Sequence, residues 1–348
     1  MTNFKKLTQK PLFLPIFCMI LVLLVNLIKS PDFFAISVNN GVLYGRLIDI
    51  INRGSEIAIL AVGQTLVVAV SAGTDISVGS VMSLAACTCC TVLAGFGNNS
   101  VNELQVPMIV GMLAGIFMGG VCGSFNGALV SKLKIQPMVA TLILFTAARA
   151  IGLLFCNNQI TYIRYEPYKY LGNFIPGCPI PTPVFVAIVV ILVVTLLLKK
   201  TALGLYIQSV GINNRAARIS GINSDVICFV CYVICGICAG IAGIVASSRI
   251  YSADSNNIGL NYELDAILAV ALGGNSLGGG KFNLIGSIIG AYTIQAITTT
   301  LLAMGVSTDQ APVFKAIIVV IIVVVQAPAF KRFVAEKKAQ RAVNKEVA

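Results

Sequence analysis

The chain of 348 residues contains no histidine and no tryptophan, and only 11% of its residues are charged. Without histidine it lacks the commonest metal ligand and the usual general base. Its 13 acidic residues are spread over many loops, so no carboxylate cluster is offered for acid–base catalysis. Charge is also too scarce for a water-soluble globule, since 57% of the residues are hydrophobic and the mean hydropathy is +0.92. Such a balance belongs to a protein dissolved in lipid.

What is abundant is apolar sequence, in runs at about 12–28, 55–72, 76–97, 107–131, 137–156, 182–198, 226–248, 262–278, 282–303 and 311–330. Most approach the roughly 20 residues that a helix needs to cross a bilayer. Inside lipid the backbone must bond within its own segment, which favours helices over a barrel of alternating strands. The expected fold is all-α, a polytopic membrane protein of about ten transmembrane helices. The runs starting at Ile76 and Tyr262 stand apart, because both are polar-flanked and interrupted by glycine. The first run follows Lys5, Lys6 and Lys10 as a secretory signal would. It is too long for one and lacks a small-residue cleavage site at Lys29-Ser30-Pro31, so a retained helix is expected.

Basic residues set the orientation. With the amino terminus in the cytoplasm, Lys132, Lys134, Lys199, Lys200, Arg215, Arg218, Lys281 and the residues from Lys331 onward fall on the same inner side. The outer side keeps only Lys29, Arg46, Arg53, Arg164, Lys169 and Arg249. Both termini are therefore expected to be cytoplasmic, with one membrane domain over 1–330, a cytoplasmic loop over 199–225 within it, and a basic tail over 331–348. A basic inner face beside anionic lipid accounts for the net charge of +11 without a nucleic-acid partner.

Two features are easily misread. Cys228, Cys231, Cys235 and Cys238 have metal-site spacing, but on a helix they form a stripe along one face and not a loop around a cluster. Small, polarizable packing residues are expected there, and no metal. Gly278-Gly279-Gly280-Lys281 evokes a phosphate loop, yet Asn275 replaces the first glycine that motif needs and Phe282 its Ser/Thr. A tight turn with close helix contact is the expectation instead. Cys156 and Cys178 flank one outer loop, which leaves a disulfide between them open.

The loop over 199–225 is the longest on the inner side. Within it, Asn213, Asn214, Arg215, Ala216, Ala217 and Arg218 lead to Ile219, Ser220 and Gly221, a short polar helix closed by a glycine cap. It is either an amphipathic connector or a docking helix for a soluble partner. Gly204–Asn213 followed by Ala216-Ala217-Arg218 and Gly221-Ile222 resembles the coupling loop of the ribose/xylose/galactoside class of ABC importer permeases. Gly73–Ser80, Glu263–Val270 and Gly273–Gly280 agree with that class in order and spacing. Ile48–Arg53, Ile135–Leu144 and Ala253–Leu260 look closest to its galactofuranose-type members, although Gly73-Thr74-Asp75 departs from the usual Gly-Ile-Asp.

The resemblance implies an importer of two permease chains, identical or related, two cytoplasmic ATPase subunits that use ATP and Mg, and an external sugar-binding protein. This chain would contribute no cofactor of its own and no ATP hydrolysis. It would sit in the cytoplasmic (inner) membrane and pass a small sugar by ATP-driven alternating access. A permease for branched-chain amino acids, a nucleoside or a signalling furanose is the alternative. An ion-coupled secondary transporter would need buried titratable groups, for which only Asp75 and Asp265 stand out.

Glycine-interrupted segments in corresponding halves point to a transport site. Those led by Asp75 and Asp265 are the candidates, and an odd number of crossings between them would make two inverted helical repeats. Asp75, with Ser77, either caps the helix that follows or lines the path. Glu263 and Asp265 either cap a helix or meet the docked binding protein. Asn126, Gln136, Asn275 and Gln295 offer hydroxyl-binding amides along the path, or hydrogen-bonding glue between helices. Arg149, within an apolar run, is expected to reach the outer interface by snorkelling.

Overall fold

Each apolar run folds as a helix in the computed structural model, which describes residues 12–29, 31–39 and 41–326. The expected tail over 331–348 and the lysines at 5, 6 and 10 lie outside the described residues. In order the helices are α1 (Phe13–Lys29), α2 (Arg46–Ser71), α3 (Val78–Ala94), α4 (Met108–Ser131), α5 (Pro137–Phe155), α6 (Glu166–Lys169) and α7 (Thr182–Lys200). They continue with α8 (Leu203–Ile212), α9 (Asn214–Ile219), α10 (Ser224–Ile250), α11 (Tyr262–Leu272), α12 (Leu284–Ala303) and α13 (Ala311–Gln326). Among the described residues the protein is mostly helical, at 70%. Among the described residues six helices, α2, α4, α5, α7, α10 and α12, are long and apolar enough to cross a membrane.

The two glycine-interrupted runs are the short ones among the buried helices. Helix α3 has 17 residues and α11 has 11, because the chain before α3 turns through Ala72–Ser77 and the chain after α11 turns at Gly273-Gly274. Almost all of α3 is buried. Its neighbours α4, α5 and α10 wrap it, so apolar side chains surround it where lipid would surround an outer helix.

Helices α4 and α10 make the most extensive contact. Gly111, Gly115, Gly119, Gly123 and Gly127 recur every four residues along α4 and form one bare stripe. Gly236 and Gly240 of α10 lie against it: a Cβ on Gly236 would stand 2.2 Å from the Gly119 carbonyl oxygen, and one on Gly119 would stand 2.3 Å from that of Gly236. The backbones thus touch directly, which is how helices gain dispersion energy where water provides no drive. On its other side α10 meets α2, where Gly63 packs on Cys235. Cys228, Cys231, Cys235 and Cys238 are all free and buried along α10.

Strands also form, which the apolar periodicity does not reveal. β1 (Ser37–Asn39) pairs antiparallel with β2 (Val42–Tyr44). β3 (Ser100–Val101), β4 (Thr161–Ile163) and β5 (Ser252–Ala253) make a three-stranded sheet, parallel between β3 and β4 and antiparallel between β4 and β5. These strands follow the carboxyl ends of α3, α5 and α10, so the sheet joins three helix ends at one side. Cys156 lies there, buried with its Sγ 3.7 Å from Thr91 Oγ1, while Cys178 is half-buried, and both thiols are free.

Helices α1 to α11, most of α12 and both sheets belong to the first of two units, which runs to Thr299. From Thr300 the second unit holds the end of α12, a turn in which Val306 N–H donates to Leu301 O at 3.1 Å, and α13.

The glycine contact has a measurable consequence. Gly236→Ala is expected to destabilise the protein by about 1–3 kcal/mol through overpacking against backbone. Gly120→Ala, whose Cβ would meet only a side-chain atom of Ile237 at 3.6 Å, is expected to be near neutral. Thermal unfolding of the two variants in detergent distinguishes them, and equal midpoints would contradict the packing described.

Candidate functional site

The turn before α3 carries a closed polar cluster. Asp75, Ser77 and Asn126 are all buried. Asp75 Oδ1 accepts the Ser77 backbone N–H at 2.8 Å and the Ser77 hydroxyl at 2.7 Å. Asn126, on α4, donates through Nδ2 to Ser77 Oγ at 2.8 Å and to Asp75 Oδ2 at 3.5 Å. Its Oδ1 has no hydrogen-bond partner. Asp75 therefore braces the turn before the helix and does not cap α3 itself: the N-cap is Ser77, and no side chain caps that helix start. The start of α5 holds the same turn from outside: Thr141 Oγ1 accepts the Ile76 N–H at 3.1 Å, and Gly73 packs on Pro137.

The first turn of α3 meets the chain that leads into α11. A Cβ on Gly79 would stand 2.4 Å from Gly259 O and 2.1 Å from Glu263 Oε2. Glu263 and Asp265, in the first turn of α11, are buried. Arg149 of α5 fastens the preceding loop, donating from one amino group to the carbonyls of Ser255 at 2.7 Å and of Asn256 and Ile258 at 3.2 Å. The two short helices that the sequence singles out thus begin beside each other.

The remaining candidate amides lie elsewhere. Asn275 Nδ2 donates to Val270 O at 3.0 Å and Ser287 Oγ at 2.8 Å, while its Oδ1 accepts the Asn283 N–H. Ser287 in turn accepts from Thr65 of α2 at 2.7 Å, so Asn275 ties the α11–α12 turn to α2. Gln295 bonds Thr299 at 3.2 Å beside Gly54. Gln136 is exposed just before α5 and borders a cavity of about 220 Å³ together with Ser71, Ser131, Lys134, Asn214 and Asp225.

At that same side lies the α8–α9 segment. Asn213 Oδ1 accepts the Ala216 N–H at 3.1 Å and starts α9. Gly221, at φ +82°, ends it, with Ile222 N–H donating to Ala217 O and Gly221 N–H to Arg218 O, both at 3.0 Å. Ala217 is buried and seats the helix, whereas Asn214, Arg215, Ala216 and Arg218 are exposed. The apolar Ile212 and Ile219 are 64% and 87% exposed. Nearby, Gly280 N–H donates to Ala69 O at 2.9 Å, and Gly211 is pressed against the same oxygen. The glycine-rich loop is thus spent on a helix contact.

Comparison with known proteins gives this arrangement a family. The model described as branched-chain amino acid transport system / permease component matches residues 46–326. The chain belongs to this permease family. The permease is 40% identical over 330 residues to the galactofuranose transporter permease protein YtfT of Escherichia coli (strain K12), covering 94% of this chain and 92% of the relative. It is 37% identical to the fructose import permease protein FruF of Bifidobacterium longum (strain NCC 2705), over 98% and 94% of the two chains. Identity to the ribose import permease protein RbsC of E. coli (strain K12) is 34%, over 88% and 90%. No solved structure matches the chain.

The permease also holds buried groups that sequence reasoning passes over. Glu56 of α2 is 1% exposed and pairs through Oε1 with Arg249 of α10 at 2.7 Å. Tyr262 donates its hydroxyl to Glu56 Oε2 at 3.1 Å, and Arg249 also donates to Asn52 Oδ1 at 3.1 Å and Gly172 O at 3.3 Å. Positive-inside counting places Arg249 merely in an outer loop, and Glu56 is absorbed into an apolar run. A lone acid within such a run is the signal that points to a partner. Gln64 of α2 is fully buried, and neither end of its amide is bonded.

Removing one member of a buried ion pair leaves the other charge uncompensated. Arg249→Ala is expected to cost about 3–5 kcal/mol of stability, with Glu56→Gln/Arg249→Met costing much less. Thermal midpoints of the purified variants in detergent test this, and equal losses from the single and double changes would refute it.

Proposed function

We propose that this multi-pass membrane protein is the permease subunit of an ATP-driven, binding-protein-dependent ABC importer for a small sugar. The observation that carries the reading is the near full-length similarity to galactofuranose, fructose and ribose permeases. The family description names branched-chain amino acids, and a permease for such a solute is the second reading. The sugar reading is preferred because three relatives of different sugars align over most of the chain.

In this reading the chain supplies the path and the lever, and hydrolysis takes place in a cytoplasmic ATPase subunit that holds ATP and Mg. A second permease chain completes the membrane unit, and an external sugar-binding protein delivers the solute. Ten spans in the inner membrane with both termini cytoplasmic agree with the ten apolar runs, each of which forms a helix, and with the placement of the basic residues. The meeting of α3 and α11 at their amino-terminal turns favours two inverted repeats. Asp75, Ser77 and Asn126 would border the path, where the free Asn126 Oδ1 offers an acceptor to a sugar hydroxyl. Asp265, Gln136, Gln295 and Asn275 are secondary candidates. Of these, Asn275 already has both ends of its amide bonded within the protein.

The coupling surface is assigned to Asn213, Asn214, Arg215, Ala216, Ala217, Arg218 and Gly221. It rests on the exposure of α9 beside Ile212 and Ile219, an apolar rim that fits a protein partner. Ala216→Lys on the exposed face and Gly221→Val at the left-handed position are expected to abolish sugar uptake while the protein still reaches the membrane. Uptake into proteoliposomes with the ATPase and binding protein measures this. Full ATP-dependent uptake by both variants would sink the assignment.

A further inference from the structure

One carboxylate joins three elements at the end of the permease that holds α9. Asp225 lies in the first turn of α10, whose start is capped by Asn223 Oδ1 accepting the N–H groups of Asp225 at 3.2 Å and Val226 at 3.3 Å. Arg218 of α9 grips this turn twice, donating from an Nη to Asp225 Oδ1 at 2.6 Å and from Nε to Ser224 Oγ at 2.7 Å. Lys134, in the turn between α4 and α5, pairs with the same Asp225 oxygen, and its Nζ also donates to Ser131 O at the last turn of α4. Lys134 has φ +56°, a conformation uncommon for residues other than glycine.

Two cations on one oxygen form a link that runs from α9 through Asp225 to α4. Beyond it, α4 carries Asn126 to Ser77 and Asp75, and its glycine stripe binds it to α10 along most of its length. Hollows flank the link. The cavity of about 220 Å³ is bordered by Ser131, Lys134, Ser224 and Asp225, and a second of about 420 Å³ by Ser131, Lys132, Asn223 and Asp225. The three side chains are 53% (Lys134), 49% (Arg218) and 39% (Asp225) exposed. Ion pairs of that kind add little to stability, and the open space lets them separate without disturbing the core.

We propose that Asp225 is a positioning residue, a latch that passes displacement of α9 to α4 and so to the Asp75 cluster. The inference rests on α9 being the surface that the ATPase moves. The latch is closed in this structure. While it is closed, a displacement of α9 is carried through Arg218 to Asp225 and through Lys134 to the end of α4.

The test uses the complete importer in proteoliposomes, with sugar uptake and ATP hydrolysis measured together. Asp225→Asn is expected to lower the sugar moved per ATP hydrolysed by roughly five- to tenfold, and Asp225→Glu to restore most of it. Lys134→Gln, a change at an exposed side chain, is expected to give a smaller loss in the same ratio. Added to Asp225→Asn it is expected to cause no further loss, because both remove one link. An unchanged ratio in Asp225→Asn, or additive losses in the pair, would overturn the latch. The wild type separates the two levels: uptake by wild type with equally coupled variants overturns the latch alone. Absence of ATP-driven uptake by the wild type overturns the underlying reading and the latch with it.

Discussion

The fold depends on direct backbone contact between α4 and α10. Side chains of any size on Gly119 or Gly236 would hold these helices apart, and the other buried elements are arranged around the pair. Helix α3 lies against both, with Gly243 of α10 pressed on the Met82 carbonyl. In lipid, apolar side chains gain nothing by leaving solvent, so helices associate through close packing and hydrogen bonds. Proximity of this kind is unforgiving of substitution, and it fixes α4 and α10 as one body.

Polar groups enter this body where the chain stops being helical. The turn before α3 exposes backbone groups that lipid cannot satisfy; Asp75 and Thr141 accept from two of its N–H groups, and Asn126 holds the Asp75 and Ser77 side chains in place. The carbonyls after α10 are met by Arg149 in the same way. A second set of polar groups, Glu56, Arg249 and Tyr262, connects α2, α10 and α11 through an ion pair that is nearly water-free. The first cluster borders a break in the helices and retains a free acceptor. The second closes around its own charges and acts as a bolt.

Much of the fold is legible in the sequence, since ten apolar runs of suitable length leave few alternatives to a helical membrane protein. The α9 segment is legible too, because Asn213 and Gly221 are cap residues whose chemistry is local. What escapes reading depends on contact between distant segments. Five of the six glycines of α4 are visible at a spacing of four, but only the placement of Gly236 and Gly240 opposite them gives the stripe its meaning. Glu56 and Arg249 are 193 positions apart in the numbering of the chain, and no periodicity connects them. The two- and three-residue strands are too short for an alternating pattern, so the sheet at the ends of α3, α5 and α10 leaves no mark.

That sheet has a mechanical consequence. Backbone hydrogen bonds hold the segments that follow α3, α5 and α10 in register at one side, whereas exposed side-chain ion pairs join helix ends at the other. The two ends are therefore held by different kinds of bond. Register at the first end is kept by backbone bonds that no side-chain substitution removes, whereas at the other a single substitution at Asp225 removes two ion pairs together.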